Sequence, residues 1–389
     1  IPVISSTFAS FERMMKHIGP EVLGYVFVDE AGQALPQSAV GAIWRSRKMM
    51  VVGDPSQIKP VLTLDSNILK LLCRHYQISE RYLSEDASVQ TLVDAASRFG
   101  FYTAPDKEED SWIGIPLWVH RRCQYPMFTI ANKISYHDFM VQGVKQYGKT
   151  AWFDVKGKAV DKYVKEQGEF LKQKLKEMID EDPEIIDPTK KDKVYIISPF
   201  RNVAYKLAQL LKSINFTRTQ GQKATNIGTV HTFQGKEAAI VFLVLGADEQ
   251  SKSAANWAVD EPNIMNVAAT RAKKEFYIIG DKKMYGGLGS DVIRTTLHIM
   301  KDYKKEHPDL VMDQSAPADR PAELETKPEI KPKTKKVTAP APPTKAAEKI
   351  CPVCGHKMVR RIARRGPNRG KEFWGCSNFP KCRHTEKID

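Results

Sequence analysis

The sequence predicts an α/β protein built on parallel sheets, and three observations carry that prediction. Tyr25 to Gln33 reads Tyr-Val-Phe-Val-Asp-Glu-Ala-Gly-Gln, an apolar run that ends in two adjacent carboxylates. Lys48 to Gln57 repeats the form, with Met-Met-Val-Val running into a polar turn marked by Gly53 and Pro55. Between such runs lie segments with apolar residues at helical spacing, such as Ile68, Leu69, Leu71 and Leu72. Consecutive apolar, β-rich residues suit a parallel strand covered on both faces, and ligands of open α/β sheets bind beyond the carboxyl ends of the strands. Tyr25 to Val28 is therefore expected to be a buried strand that delivers Asp29 and Glu30 to a ligand. The competing reading is a solvated turn, which an Asp-Glu pair after a strand often makes.

In chain order, Val3 to Ser10 reads as a strand passing into a hydroxyl-rich turn, followed by a helix from Phe11 to His17. Hydroxyls at a helix start cap it or bind phosphate oxygens, which makes Ser6, Thr7 and Ser10 candidates for either role. Pro60 to Ala104 is mostly helical, with Leu92, Val93 and Ala96 on a second helix face. Asp106 to Asp110 is a charged loop, and Ile113 to Val119 restarts a strand that leads into His120-Arg121-Arg122-Cys123. An apolar helix follows from Phe128 to Tyr136.

Gly143 to Thr150 satisfies the pattern G-x-x-x-x-G-K-T. A phosphate-cradling loop follows a buried strand and opens a helix, so that backbone N–H groups and the helix dipole meet the phosphates. Here a helix and loop precede the string, and Ala151 to Val155 after it alternates like a strand. The context excludes a P-loop at this place. The sequence is accordingly expected to be part of a longer chain whose missing N-terminal portion holds nucleotide, and to be inactive by itself.

Further on, Gln167 to Asp180 is an amphipathic helix, and Lys193 to Phe200 is a strand into a turn followed by a helix through Leu211. Ile227 to Glu237 places Thr229, His231 and Thr232 where a sugar-phosphate backbone can run, with Gly235 permitting close approach and Glu237 able to accept from a ribose. The strand Ala239 to Leu245 follows. Asn266 to Lys274, rich in small residues, precedes the strand Glu275 to Gly280 and exposes Arg271 as a candidate arginine finger.

At 389 residues the chain is long enough for two or three domains, and its hydrophobic fraction of 42% is that of a soluble protein. No apolar run approaches the roughly 20 residues of a membrane span, which points to a cytoplasmic protein without a membrane partner. The chain opens on Ile1 rather than Met, so an upstream targeting segment stays open. The net charge of +14 favours polyanionic partners. Half of it falls after residue 350, where ten basic residues face three acidic ones.

That basic tail also holds four of the six cysteines. Cys351-Pro-Val-Cys354 and Cys376 to Cys382 offer two thiolate pairs that close a tetrahedral S₄ site, and so short a segment needs the metal to fold. Zinc is the expected ion. His356 and His384 are spare ligands, while Trp374, Arg364 and Arg365 are candidates for stacking on and neutralising a single strand. The alternative for Trp374 is the small core of the module. Residues 311 to 349, rich in Pro, Ala, Lys, Glu and Thr, read as a disordered tether that can also engage protein partners.

Asp-Glu at 29 and 30 followed by Gly-Asp-x-x-Gln at 53 to 57, both at strand ends, resembles motifs II and III of superfamily 1 helicases. The string from Thr229 to Glu237 looks like motif V with its Phe-Gln-Gly-x-Glu, although His231 stands where that family has aspartate. Asn266 to Lys273 matches motif VI, N-V-A-x-T-R-A-K, and Ser198-Pro199-Phe200 is similar to motif IV, Thr-Pro-Tyr. His120 to Cys123 occupies the place of the family's Tyr-Arg-Met-His-Pro, with Pro126 one residue further on than the motif has it. The resemblance covers residues 1 to 285 and is nearest to the 1B branch that includes the nonsense-mediated-decay RNA helicase. The tail is similar to the C-terminal zinc ribbons of bacterial type I topoisomerases, which bind single-stranded DNA.

The resemblance implies two RecA-like α/β domains, 1–112 (incomplete) and 113–310, with ATP between them and a strand of DNA or RNA across their top, then the linker and a ribbon at 350–389. It assigns Asp29 to Mg²⁺, Glu30 to the general base and Gln57 to γ-phosphate sensing. Arg121, with Arg122 as second choice, and Arg271 stabilise the transition state. Gly53, Asp54, Phe200, Gln234, Gly235 and Glu237 surround the nucleotide, and Ser6, Thr7, Thr229, His231 and Thr232 touch nucleic acid. The rival reading is a nucleic-acid-binding piece without catalysis, which the absence of a P-loop favours.

Overall fold

A computed structural model describes residues 3–62, 64–79, 82–84, 86–102, 112–187, 189–190, 193–311, 351–354, 358–362, 372–377, 382 and 384–387. These fall in two compact units, one up to residue 311 and one from 351. The linker expected between them lies outside the described residues.

The first unit opens with α1 (Phe8–Met14), a β1-α2-β2 crossover of β1 (Leu23–Val28), α2 (Pro36–Arg45) and β2 (Ser46–Val51), and the helices α3 (Ser66–Tyr76) and α4 (Val89–Ala96). β1 and β2 are parallel, with Tyr25 opposite Lys48 and Val28 opposite Val51. Pro36 starts α2, where a missing N–H costs nothing. Ser88 and Thr91 form a capping box at the start of α4. Val28, Ala31, Ala39 and Val89 form a small core on one side of the two strands.

The other side departs from expectation. Tyr25 is 66% exposed and Phe27 is 71% exposed, so β1 is covered on one face only, because the described helices pack against Val26 and Val28 and none packs on the alternate residues. Val3 to Thr7 form no strand, and the helix starts three residues earlier than expected, at Phe8. Val3 and Ile4 are exposed with no strand edge to pair with, and β-rich composition forms a strand only where a neighbour receives it.

The strand expected from Ile113 to Val119 is two short pieces. β3 (Gly100–Tyr102) and β4 (Trp112–Gly114) make an antiparallel pair, and β5 (Val119–His120) lies parallel to β6 (Val141–Gln142). Pro116, which has no N–H to give a ladder, separates them. Between β5 and β6 runs α5 (Met127–Ser135), as expected.

The main sheet is all parallel and doubly covered. Its strands are β7 (Lys149–Asp154), then, after the hairpin β8 (Ala159–Val160) and β9 (Tyr163–Val164) and helix α6 (Lys165–Glu181), β10 (Val194–Ile197). Helix α7 (Arg201–Leu210), the hairpin β11 (Thr219–Gln220) and β12 (Lys223–Ala224), β13 (Ile227–Gly228) and β14 (Ala238–Val244) follow. α8 (Lys252–Asp260), α9 (Asn263–Arg271) and β15 (Ala272–Gly280) lead to α10 (Lys282–Gly286) and α11 (Asp291–Glu306). The order is β13-β10-β14-β15-β7. All four residues of β10 are buried, as a strand covered on both faces requires.

The G-x-x-x-x-G-K-T string runs straight into β7. Lys149 opens the strand, Thr150 donates its hydroxyl to the Phe276 carbonyl at 2.8 Å, and a Cβ on Gly148 would fall 2.1 Å from the Lys274 carbonyl oxygen. These residues are sheet edge, and the α/β expectation holds without a P-loop here. The second unit is a three-stranded antiparallel sheet of β16 (Met358–Ile362), β17 (Glu372–Cys376) and β18 (Thr385–Lys387).

The two sheets predict opposite responses to the same substitution. Phe276, fully buried in β15, should cost about 3–5 kcal/mol on change to alanine, whereas Phe27→Ala should stay within about 0.5 kcal/mol. Urea denaturation of both variants checks the difference.

Candidate active site and metal centre

The site begins where β1 and β2 end. Ala31 donates its N–H to the Val52 carbonyl at 3.1 Å. A Cβ on Gly53 would lie 2.6 Å from the Gly32 nitrogen, and one on Gly32 would lie 2.6 Å from the Asp54 carbonyl oxygen. The two turns interlock backbone to backbone, which only glycine allows. Gly53, expected beside a cofactor, is thus first a packing residue.

Glu30 sits in the left-handed region at φ 55°, an uncommon place for a non-glycine residue and one often found at functional sites. Its backbone N–H donates to Asp29 Oδ1 at 2.9 Å, and its Oε2 accepts from Gln33 Nε2 at 2.8 Å. Asp29 and Glu30 line a cavity of about 390 Å³ together with Phe8, Leu35, Ser38 and Val61.

The turn after β2 meets α9 and α5. Asp54 accepts from the Ser56 N–H at 2.9 Å, from Gln57 Nε2 at 2.8 Å and from the Tyr136 hydroxyl. Asn266 Nδ2 donates to the Tyr136 oxygen at 3.0 Å and to the Ser56 carbonyl at 3.1 Å, and Asn263 donates to the Gln57 carbonyl. Burial and the Asp54 carboxylate hold the Tyr136 phenol well above its usual value, so it remains a donor.

Arg271 closes the junction. Only 2% exposed, it donates Nη2 to Gln57 Oε1 at 3.0 Å and Nη1 to the Lys236 carbonyl at 3.1 Å, while its Nε has no partner. Burial, then the like charge of Arg122, lowers its pKa, and Glu30 acts the other way. Gly235, at φ 67°, brings its Cα side toward Glu30, where a Cβ would stand 3.8 Å from Oε1. Gln234 Nε2 is a second buried donor without a partner. Two orphaned donors beside a carboxylate pair suit an anionic ligand held with a cation.

Of the two adjacent arginines, Arg122 faces this junction. It bonds Glu237 Oε2 at 2.9 Å and the Thr270 carbonyl at 3.4 Å, and Lys273 pairs with the other Glu237 oxygen. The Lys273 bond is the largest influence holding Glu237 below the usual carboxylate range. Arg121, the first choice on sequence, is exposed instead. Phe200 is 7% exposed and belongs to the core, where it packs against Trp257.

Ser6 and Thr7 are exposed and bond locally, Ser6 to the Thr7 carbonyl at 3.0 Å. Thr229 and Thr232 are half-buried at the start of the Gln234 turn, with the Thr232 N–H on the Thr229 carbonyl at 2.8 Å, and His231 is exposed. Sequence reasoning missed Tyr136 and Asn263 altogether, and gave Asn266 no role; an asparagine in a run of small helical residues was the available signal.

In the second unit, the sulfurs of Cys351, Cys354, Cys376 and Cys382 all lie within 4.8 Å of one another. Cys354 and Cys376 are 3.3 Å apart and Cys351 and Cys382 3.8 Å apart, close to the edge of about 3.8 Å of a tetrahedron with Zn–S bonds of about 2.3 Å. The donor set is all thiolate, which fits zinc. Trp374 packs against this cluster, and His384 contacts Glu386 at 3.1 Å. Arg364, Arg365 and His356 lie outside the described residues.

Residues 130–283, from α5 through the five-stranded sheet, match the family model of an AAA domain, and residues 348–389 match that of a topoisomerase DNA binding C4 zinc finger. The chain is therefore similar to AAA domains over its five-stranded sheet and to topoisomerase-type zinc ribbons over its last forty or so residues. Within the ribbon it is similar to DNA topoisomerase 1 of Methanocaldococcus jannaschii, 42% identical over 45 residues, or 12% of this chain and 5% of that protein. It is also similar to DNA topoisomerase 1 of Mycoplasmoides gallisepticum, 51% identical over 41 residues, or 10% of this chain and 5% of that one. Among solved structures, an arterivirus nonstructural protein 10 (helicase) aligns at 14% identity and a TM-score of 0.34, covering 74% of this chain and 56% of the viral one. The chain thus spans about a twentieth of the curated relatives it matches. Asp29, Glu30 and Gln57 lie outside both matched regions.

Two measurements check the site. His120 accepts the Cys123 N–H on Nε2 at 3.1 Å, and burial with the charges of Arg122 and Arg271 lowers its pKa from 6.5 to about 4. The unfolded chain takes up a proton on His120 below about pH 6.5 and the folded chain does not until about pH 4. The stability His120 contributes is therefore complete above pH 6.5 and lost as pH falls toward 4. His120→Gln should make the acid decline of the melting temperature shallower over that window. In the tail, chelation of the metal should make four further thiols reactive toward a thiol reagent, with Cys73 and Cys123 still protected by burial.

Proposed function

We propose that this chain is a core piece of an ATP-dependent helicase or translocase motor, with a zinc ribbon that holds single-stranded DNA or RNA. One observation carries the reading: Arg271, buried at the end of α9, reaches Gln57 beyond the second of two parallel strands whose first ends in Asp29 and Glu30. Carboxylates from one sheet and a guanidinium from the other meet at a single seam.

ATP with Mg²⁺ supplies the γ-phosphate on which such a seam acts. Asp29 would hold the cation, and Glu30 would take a proton from water as general base. Gln57, bonded to both Asp54 and Arg271, couples occupancy on one side to the guanidinium on the other. Arg271 and Arg122 would neutralise charge as it builds, an effect worth about 10³ to 10⁵ in rate for an arginine finger. The phosphate cradle is not the string at Gly143, which opens β7.

That same fact favours a second reading, a nucleic-acid-binding chain without turnover. Hydrolysis by this chain compared with the protein at its full natural length separates the two. In the full-length protein Arg271→Ala should abolish nucleic-acid-stimulated ATP hydrolysis while leaving strand affinity within about twofold, a limit set by the loss of one distant charge. Undiminished turnover sinks the assignment.

A further inference from the structure

Trp257 stands apart from the seam at Arg271 and is 62% exposed, on a helix that buries its neighbours Ala255, Ala258 and Val259. The indole turns a broad aromatic face to solvent, of the kind on which a planar group can stack. Its ring lies 6.1 Å from that of Phe200, with the planes at 35°. Phe200 is itself held in the core, so the indole rests on a fixed support rather than swinging free.

Phe200 is the N-cap of α7, and the first helical residue, Arg201, is exposed. Partial burial, then the charge of Arg201, lowers the pKa of His231, which lies in the turn after β13. Thr232 follows His231 in the same turn. Arg201 thus follows the carboxyl end of β10, with Trp257 against its neighbour Phe200, and His231 and Thr232 follow the carboxyl end of the adjacent β13.

We propose that Trp257 is a stacking platform for a base of single-stranded nucleic acid, with Arg201 on the adjoining phosphate. This rests on the nucleic-acid reading above. An aromatic face accepts any base, and a cation one residue from its support meets the backbone that the base hangs from. The half of the net charge of +14 that falls before residue 350 complements such a ligand.

The test uses the full chain and a fluorescein-labelled oligothymidylate, with anisotropy for affinity and intrinsic tryptophan emission for stacking. Each variant is measured with the ribbon intact and with Cys376→Ser/Cys382→Ser, so that the tail does not mask a loss in the body. Trp257→Ala should weaken binding about 5- to 100-fold without altering its salt dependence, and Trp257→Phe should restore most of the affinity while lacking the strand-induced quenching. Arg201→Ala should instead lower the salt slope by about one. Equal affinity and equal quenching in wild type and Trp257→Ala overturn the platform but leave strand binding standing. A wild-type chain that binds no strand overturns the nucleic-acid reading itself.

Discussion

The structure depends on a buried guanidinium. Arg271 cannot be taken out of water without partners, because an uncompensated charge in the interior costs several kcal/mol. It finds them in Gln57 and in the carbonyls of Phe233 and Lys236, which belong to separate stretches of chain. Satisfying one side chain therefore fixes the end of α9, the turn after Thr232 and the turn after β2 in a single arrangement. Tyr136 and Asn266 continue that arrangement to Asp54, so the polar seam is continuous from Glu237 to the carboxyl end of β2.

A seam of this kind is also an electrostatic compromise. Arg122 and Arg271 repel each other, and they share the carboxylates of Glu237 and Glu30 unequally. His120 stays neutral beside them and serves as an acceptor for the Cys123 N–H. The Cys123 thiol is pushed up to about 12 by burial, which makes it filler rather than nucleophile. The carboxylates of the junction at least match its cations in number, and two of its buried donors, Arg271 Nε and Gln234 Nε2, remain unpaired.

What could be read from the sequence was what local chemistry determines. The acids at the end of β1, the second strand with its Gly53 turn, the small-residue helix before β15 and the four cysteines each announce themselves within about ten residues, through apolar runs, glycine and ligand spacing. What could not be read depended on distant neighbours. Whether β1 has one covered face or two is decided by helices elsewhere in the chain, and Tyr25 and Phe27 are exposed although their composition says otherwise. Arg121 and Arg122 differ only in the direction of their side chains, which the pairing with Glu237 settles. Phe200 reads equally as ligand contact or core until α8 is placed beside it. The string at Gly143 shows the reverse case, where a motif is present and the strand it enters removes its meaning.

The interlock of Gly32 and Gly53 bears on motion. With no side chain between them, the two turns have no compliant layer to absorb a displacement, since close-packed backbone is stiff where side chains can still change rotamer. The acidic pair and Gln57 then form one rigid jaw. Whatever shifts Gln57 across the seam must tilt the carboxylates with it, and a message passes between them without a hinge.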